Sequence, residues 1–368
     1  VKSIRYIPFL HIHPEIKREM VLEFERFYDD QDYILGKGLE KFENEYANFN
    51  EVKYAIGVGN GHDALLIILK CLGIGKGDEV IIPAHTFIAT ALAVVNAGAL
   101  PVLADVDEHT FNIHPQEIER KITQKTRAIV PVHLYGNPAD LSSIRVIADK
   151  YQLPVIEDNA QAQGAEIGGK KTGGFGIMNF TSFYPTKNIG ALGDGGMITT
   201  NSPEHAEKAK TFRNYGKTKD GEYSSIGTNS RLDELQARLL SVKLKYLRRW
   251  NEERIEIASL YEERLQNVEG IKLQSSYADA RNVRHIFPVQ ADKRDELKDY
   301  LKSLGIDTLI HYKKPIHLQP AFSFLGHQSG GFPAAEKICR EELSLPIYPG
   351  LKQEDVIYVC EAIKQFYL

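Results

Sequence analysis

The sequence predicts an α/β protein: a large domain built on a mostly parallel β-sheet, followed by a smaller C-terminal α/β domain. Three observations lead there. From Val52 onward, apolar runs of strand length alternate with longer, helically periodic stretches. The runs are apolar on both faces and are separated by crossovers of about a dozen residues, the pattern of parallel strands covered by helices on both sides. The chain, 368 residues and 41.5 kDa, is longer than one small hydrophobic core requires, so a second unit is expected.

Taken in order, the apolar run Tyr54-Ala55-Ile56-Gly57-Val58 reads as a strand leading into a helix over about 63–72, and Glu79-Val80-Ile81-Ile82 as a strand leading into a helix over 88–97. A strand at 101–103, a helix near 115–122, a strand at 128–132, a helix over about 140–151 and a strand at 154–157 continue the alternation. Residues 164–200 change character. Their Gly, Thr, Ser and Asn content around short apolar runs such as Met197-Ile198-Thr199 predicts tighter connections and an antiparallel strand. After Asn229, the three- and four-residue spacing of Leu232, Leu235, Leu239, Val242, Tyr246 and Trp250 predicts a long helix, whose charges Arg248-Arg249 and Glu252-Glu253-Arg254 form a solvated outer face. The domains are placed at 1–235 and 236–368, and no solenoid repeat is visible.

Composition excludes several classes. A hydrophobic content of 43% with 26% charged residues is ordinary for a globular chain and rules out a disordered, collagen-like or mucin-like one. The net charge of -4 and pI near 6.3 argue against nucleic acid or an anionic membrane as main partner. Cys71, Cys339 and Cys360 are too few and too scattered for a disulfide framework or a CxxC metal site, so a reduced, cytoplasmic setting is expected. The first six residues lack the apolar core and cleavage site of a signal peptide. The stretch 87–104 is the one candidate membrane span; Asn96, Gly98 and Pro101 interrupt it and Asp105 closes it, so it reads as a buried helix and strand. His11-Ile12-His13 would face one side of a strand, but two histidines make a poor metal site, and no metal is expected.

Two nucleotide motifs nearly form. Gly57-Val58-Gly59-Asn60-Gly61-His62 follows a strand and opens a helix but lacks the last glycine of the dinucleotide fingerprint. Gly164-Ala165-Glu166-Ile167-Gly168-Gly169-Lys170-Lys171 lacks the Ser or Thr that a P-loop offers to magnesium. What survives from the first is a helix N-terminus whose free N–H groups converge on one point, a seat for phosphate. Glu157-Asp158-Asn159-Ala160-Gln161-Ala162 then puts carboxylates at the carboxyl end of a parallel strand, where such sheets bind ligands. Ser182-Phe183-Tyr184-Pro185-Thr186-Lys187-Asn188, followed by Gly190, Gly193, Asp194, Gly195 and Gly196, places a lysine in a backbone stiffened by Pro and turned by Gly.

A phosphate cradle, a buried aspartate and a positioned lysine together answer the needs of pyridoxal 5′-phosphate: anion binding, a partner for the pyridinium nitrogen, and an amine for a Schiff base. The carboxylate raises the ring nitrogen's pKa and makes the ring an electron sink. The lysine serves first as covalent partner and then as proton carrier. Phe87, just after Pro83-Ala84-His85-Thr86, is placed to stack on the ring.

These segments resemble the fold-type-I aminotransferases that act on nucleotide-linked keto sugars, the DegT family, over nearly the whole chain. Asn229-Ser230-Arg231-Leu232-Asp233-Glu234-Leu235-Gln236 completes the pattern. The resemblance implies that Lys187 is the Schiff-base lysine, Asp158 pairs with the pyridine nitrogen, Gln161 lies near the ring hydroxyl and Ser182 contacts the phosphate. Gly61 and His62 would bind phosphate through backbone N–H groups, since His62 stands where many relatives carry Thr. Asn229 would reach the phosphate of a second subunit, in a homodimer with shared active sites. A lysine rather than a histidine at 187 implies amino transfer rather than dehydration. Tyr33-Ile34-Leu35-Gly36-Lys37, Asn60-Gly61, His133-Leu134-Tyr135-Gly136, Leu309-Ile310-His311-Tyr312 and Ile316-His317-Leu318-Gln319 are most similar to enzymes that aminate C-3 of dTDP-3-keto-6-deoxyhexoses, with L-glutamate as donor. Tyr184, His311 and Tyr312 are then candidates to touch the hexose, or structural residues. Lys219 is either a partner for the substrate's diphosphate across the dimer or a solvated loop lysine. Amination at C-4, a cyclitol aminotransferase and a non-catalytic ligand-binding relative are the alternatives.

Overall fold

The computed structural model describes residues 2–7, 14 and 16–368, so the His11-Ile12-His13 segment lies outside the described residues. Strand Glu79–Pro83 pairs in parallel with Leu100–Ala104 on one side and Thr126–Ile129 on the other. Single parallel bridges, Ile129 to Val155, Val132 to Asp158 and Asp158 to Phe180, carry the sheet across to Asn179–Ser182. That strand runs antiparallel to Gly196–Thr200, which in turn is antiparallel to Tyr54–Val58. The result is a sheet in the order 100–104, 79–83, 126–129, 155–158, 179–182, 196–200, 54–58, in which 196–200 alone runs against the rest.

The strand expected at 128–132 appears as 126–129, its ladder to the strand expected at 154–157 is reduced to single bridges, and Pro131 is the reason. Ile156 N–H donates to the Ile129 carbonyl and Asp158 N–H to the Pro131 carbonyl. Pro131 has no N–H to return to Ile156, so one rung is missing. The continuous apolar stretch 87–104 resolves into helix Ile88–Asn96 and strand Leu100–Ala104, joined through Gly98 at φ +89°. No helix among the described residues is long and apolar enough to cross a membrane. The near P-loop is a hairpin: Glu166–Ile167 pairs antiparallel with Lys170–Lys171, and Gly168 and Gly169 both take the positive φ of a tight two-residue turn.

The C-terminal part packs helix Arg294–Ser303 on an antiparallel sheet with Phe287–Ala291 between Ile271–Leu273 and Glu342–Leu345, and helix Gln353–Tyr367 lies against that helix and against Glu234–Leu265. Its core holds Val289, Leu297, Leu301, Leu343 and Val359, all buried. Helix Glu234–Leu265, 32 residues and about 48 Å long, serves both parts: Ala237, Leu240 and Leu247 pack beside Phe183 and Met197 of the first, and Ile257, Tyr261 and Leu265 enter the core of the second. Residue 236, the expected boundary, lies in this helix's first turn. Arg248 and Arg249 are exposed as expected, but Arg254 is not. Six residues after Arg248, it has rotated to the buried face and donates to the carbonyls of Ile347 and His285, and burial lowers its pKa to about 10.

Candidate active site

Glu157 and Asp158 are neighbours in sequence with opposite surroundings, because successive strand residues point to opposite faces. Glu157 is fully buried and accepts from the N–H groups of Gly173 at 2.7 Å, Phe175 at 2.6 Å and Gly176 at 2.8 Å, with His133 Nε2 at 3.0 Å. It is an anchor for the 173–176 loop. Asp158 faces a cavity of about 440 Å³. One of its oxygens accepts from the Thr90 hydroxyl and the other from Ala160 N–H, both at 3.0 Å. Burial raises its pKa, and the Ala160 and Thr90 hydrogen bonds with the Lys187 charge work against that rise.

Opposite stands helix Gly61–Cys71, capped by Asn60, whose side-chain oxygen accepts from Asp63 N–H at 2.8 Å. The first N–H groups of the helix, those of Gly61 and His62, have no intrahelical acceptor. The His62 imidazole is held between Asp63 Oδ1 at 3.2 Å and Asn96 Nδ2 at 3.0 Å, so its backbone, not its ring, is the group left for a ligand. Gly61 is needed for closeness: a Cβ there would stand 2.9 Å from that of Ser182, which ends the strand opposite. The Lys187 loop is equally tight. Lys187 N–H donates to the Tyr184 carbonyl at 2.9 Å, and a Cβ on Gly190 would strike the Pro185 carbonyl. Burial lowers the Lys187 ammonium to about 8, with Asp158 opposing the change.

The far wall comes from the C-terminal part. Gln161 Oε1 accepts from Tyr135 N–H at 2.7 Å, and its Nε2 donates to the Tyr312 hydroxyl at 3.2 Å. Phe87, exposed by 53%, lies 5.7 Å from the Tyr312 ring. His311 is pinned on three sides: its N–H donates to Glu342 Oε2 at 2.6 Å, its Nδ1 meets the Ser344 hydroxyl at 2.8 Å, and its carbonyl accepts from the Tyr135 hydroxyl. Burial, with the nearby Lys187 charge, lowers the His311 imidazole to about 4 and burial raises Glu342 to about 8, so His311 is neutral near pH 7.

Ten of the expected residues thus meet at one cavity: Gly61, His62, Phe87, Asp158, Gln161, Ser182, Tyr184, Lys187, His311 and Tyr312. Two do not. Lys219 is exposed and pairs with Glu207 at 3.0 Å, and Asn229 is exposed beside Asn214, both outside the cavity of their own chain. Sequence reasoning missed Thr90 as the Asp158 donor and His285 as a wall residue. His285 stands in an ordinary-looking strand approach, Val283-Arg284-His285-Ile286, that carried no signal.

Over residues 14–364 the sequence matches the DegT/DnrJ/EryC1/StrS aminotransferase family. The chain belongs to that family. Among similar proteins, the dTDP-3-amino-3,6-dideoxy-alpha-D-galactopyranose transaminase of Aneurinibacillus thermoaerophilus is 47% identical over 363 residues, covering 98% of this chain and 99% of the relative. The crystal structure of Streptomyces venezuelae DesV in complex with a ketimine intermediate superposes with a TM-score of 0.98 at 41% identity, covering 100% of this chain and 99% of that one. NtdA from Bacillus subtilis, solved with bound cofactor PMP, gives 0.91 at 31% identity, covering 99% and 86%. This DegT-family chain is an aminotransferase dependent on pyridoxal phosphate. Its residues fit the cofactor: a buried carboxylate faces the cavity, Lys187 is the one lysine among the described residues of its wall, and Gly61 keeps the helix N-terminus open beside Ser182.

Proposed function

We propose that the chain transfers the amino group of L-glutamate to C-3 of a dTDP-linked 3-keto-6-deoxyhexose, giving a dTDP-3-amino-3,6-dideoxyhexose, as a homodimer with shared active sites. The observation that carries this reading is that Asp158 and Lys187 wall one cavity at the carboxyl edge of the parallel strands, each acting on the other's ionisation. The transaminase activity named for the Aneurinibacillus relative, on a dTDP-3-amino-3,6-dideoxyhexose, supports the dTDP sugar and position C-3.

Pyridoxal phosphate, when bound, supplies an aldehyde that condenses with amines and a ring that takes up the electron pair freed at the adjacent carbon. The Gly61 and His62 N–H groups and the Ser182 hydroxyl hold its phosphate. Asp158 holds a proton on the pyridine nitrogen, and the Thr90 and Ala160 donors keep its carboxylate in place. Lys187 Nζ moves the proton between the donor carbon and the cofactor side, a task suited to an amine with a pKa of about 8. His311, Tyr312 and Tyr184 orient the hexose so that one carbonyl is presented within about 3–3.5 Å of the attacking nitrogen.

Incubating the holoenzyme with glutamate and a mixture of dTDP-keto-6-deoxyhexoses tests the reading directly. Magnetic resonance of the product is expected to place nitrogen on C-3; amine on C-4 alone would falsify the assignment.

The dimer is supported by the loop that carries Lys219 and Asn229. It also displays Tyr223 at 69% and Ile226 at 99% exposure, apolar side chains suited to burial against a second copy. Random mixing of Lys187→Ala and Asn229→Ala chains yields about half hybrids, each with one intact site of two, so roughly a quarter of wild-type activity is expected to return. No recovery after confirmed subunit exchange would contradict sharing.

A further inference from the structure

Behind Lys187, a polar chain runs from the interior to the cavity wall, and it leaves one choice of hydrogen position at each link. Asn251, buried on helix Glu234–Leu265, donates from Nδ2 to the Gln163 carbonyl at 2.9 Å. A carbonyl only accepts, so this bond orients the amide and turns Oδ1 toward Asn188, whose Nδ2 donates to it at 2.8 Å. The same Asn188 nitrogen donates to the Val283 carbonyl at 3.1 Å. Asn188 Oδ1 is therefore an acceptor, and its partner is His285 Nδ1 at 2.9 Å. Nδ1 must carry the hydrogen. Burial, the first cause, and the charges of Lys187 and Arg254 hold the His285 imidazole neutral, and a neutral imidazole has one N–H. Its Nε2 is a bare lone pair without a protein donor among the described residues, on a side chain that lines the cavity of Lys187 and Asp158.

We propose that His285 accepts a hydrogen bond through Nε2 from a ring hydroxyl of the bound keto sugar, and that Asn188 and Asn251 are positioning residues that hold its imidazole in the accepting tautomer. The partner must bring its own hydrogen. A carboxylate or phosphate oxygen would be repelled, which separates the sugar's hydroxyls from the acidic groups of glutamate and of the nucleotide. The wall offers a second neutral imidazole, His311, also tied through Nδ1 to a buried partner. The side of the site built by the C-terminal part is thus a surface for uncharged polyols. The inference rests on the sugar-aminotransferase reading for its ligand, and, for its tautomer, on the hydrogen-bond geometry together with the burial that keeps the ring neutral.

The two layers separate in the test. In full-length protein labelled with nitrogen-15 in histidine, before and after cofactor loading, the His285 signals, assigned by their loss in His285→Gln, are expected to show hydrogen on Nδ1 and none on Nε2. Hydrogen on Nε2 overturns the proposal whatever the substrate is. Asn188→Leu is expected to release the ring into both tautomers, an effect that lost packing alone would not produce; an unchanged tautomer removes Asn188 from its role. In single-turnover measurements, His285→Phe is expected to slow the sugar half-reaction about tenfold and to leave the glutamate half-reaction within about twofold. Against ring-deoxy analogues, one hydroxyl should matter about tenfold in the wild type and not in His285→Phe. Equal slowing of both half-reactions, or equal sensitivity to every hydroxyl in both proteins, refutes the sugar contact. Wild-type holoenzyme that aminates no keto sugar refutes the functional reading and the hydroxyl partner together, and leaves the tautomer result standing.

Discussion

Lys187→Ala is expected to lose at least about 10³-fold in turnover, above the low end of what removing a positioned proton carrier costs, because in the proposed reaction the same amine is also the covalent partner. The effect should be chemical and not structural. Among the described residues, the Lys187 side chain makes no hydrogen bond or ion pair that its loss would strand. Burial already works against its charge, lowering it to about 8, so alanine relieves a cost of folding. The loop keeps its shape through the Lys187 N–H to Tyr184 carbonyl bond and the Gly190 contact, both of which belong to the backbone. The check is borohydride reduction of the loaded protein, then mass spectrometry of the peptide around residue 187, with thermal unfolding of the apo-protein alongside. A reduced cofactor bond persisting in the variant, or repeated turnover, would remove Lys187 from the reaction.

Asp158→Asn is the second large effect. Asparagine has the same shape, and its oxygen must face the Ala160 N–H, which cannot turn around. The amide nitrogen then faces the Thr90 hydroxyl, which can rotate to accept. What vanishes is the charge. Breaking a buried charge pair costs about 3–5 kcal/mol, or roughly 10²- to 10⁴-fold in rate. Apo-protein stability should move the other way. Because burial raises the Asp158 pKa, folding favours the protonated form, and the wild type loses stability as pH rises from the ordinary carboxylate range through the raised value. Asp158→Asn lacks that component, so its apo-protein should melt no lower than wild type at neutral pH. A variant that melts lower there and retains full turnover would show that Asp158 serves the fold alone.

How much of this was legible in the chain follows from how local each signal is. The alternation of apolar strands and periodic helices needs only neighbours in sequence, and strands 54–58, 79–83 and 100–104 stand close to where their composition puts them. The lysine loop and the Asn60-Gly61 turn were readable because Pro and Gly write backbone shape directly. Pro131 was equally visible in the sequence, but its consequence was not: a missing N–H interrupts a ladder only once the partner strand is known. Arg254 looked like one more charge on a solvated face, and only the carbonyls of Ile347 and His285, 93 and 31 residues away, explain its burial. The far wall was harder still. Glu342 and Ser344 act on His311 across a sheet, and Asn188 reaches His285 across nearly a hundred positions. Nothing in the composition of those segments sets them apart from core strands.

The pairing of Glu157 with Asp158 carries a consequence for how this protein can change. One acid holds a loop and the other faces the cavity, and what separates them is odd or even position along the strand. A one-residue shift of register within the strand from Val155 to Asp158 would exchange them, sending the loop's anchor into the cavity and Asp158 among the amides of 173–176. Substitutions at either site degrade one duty, but a one-residue shift inverts both at once. The register of the approach to Asp158 is thus a constraint of parity and not of chemistry.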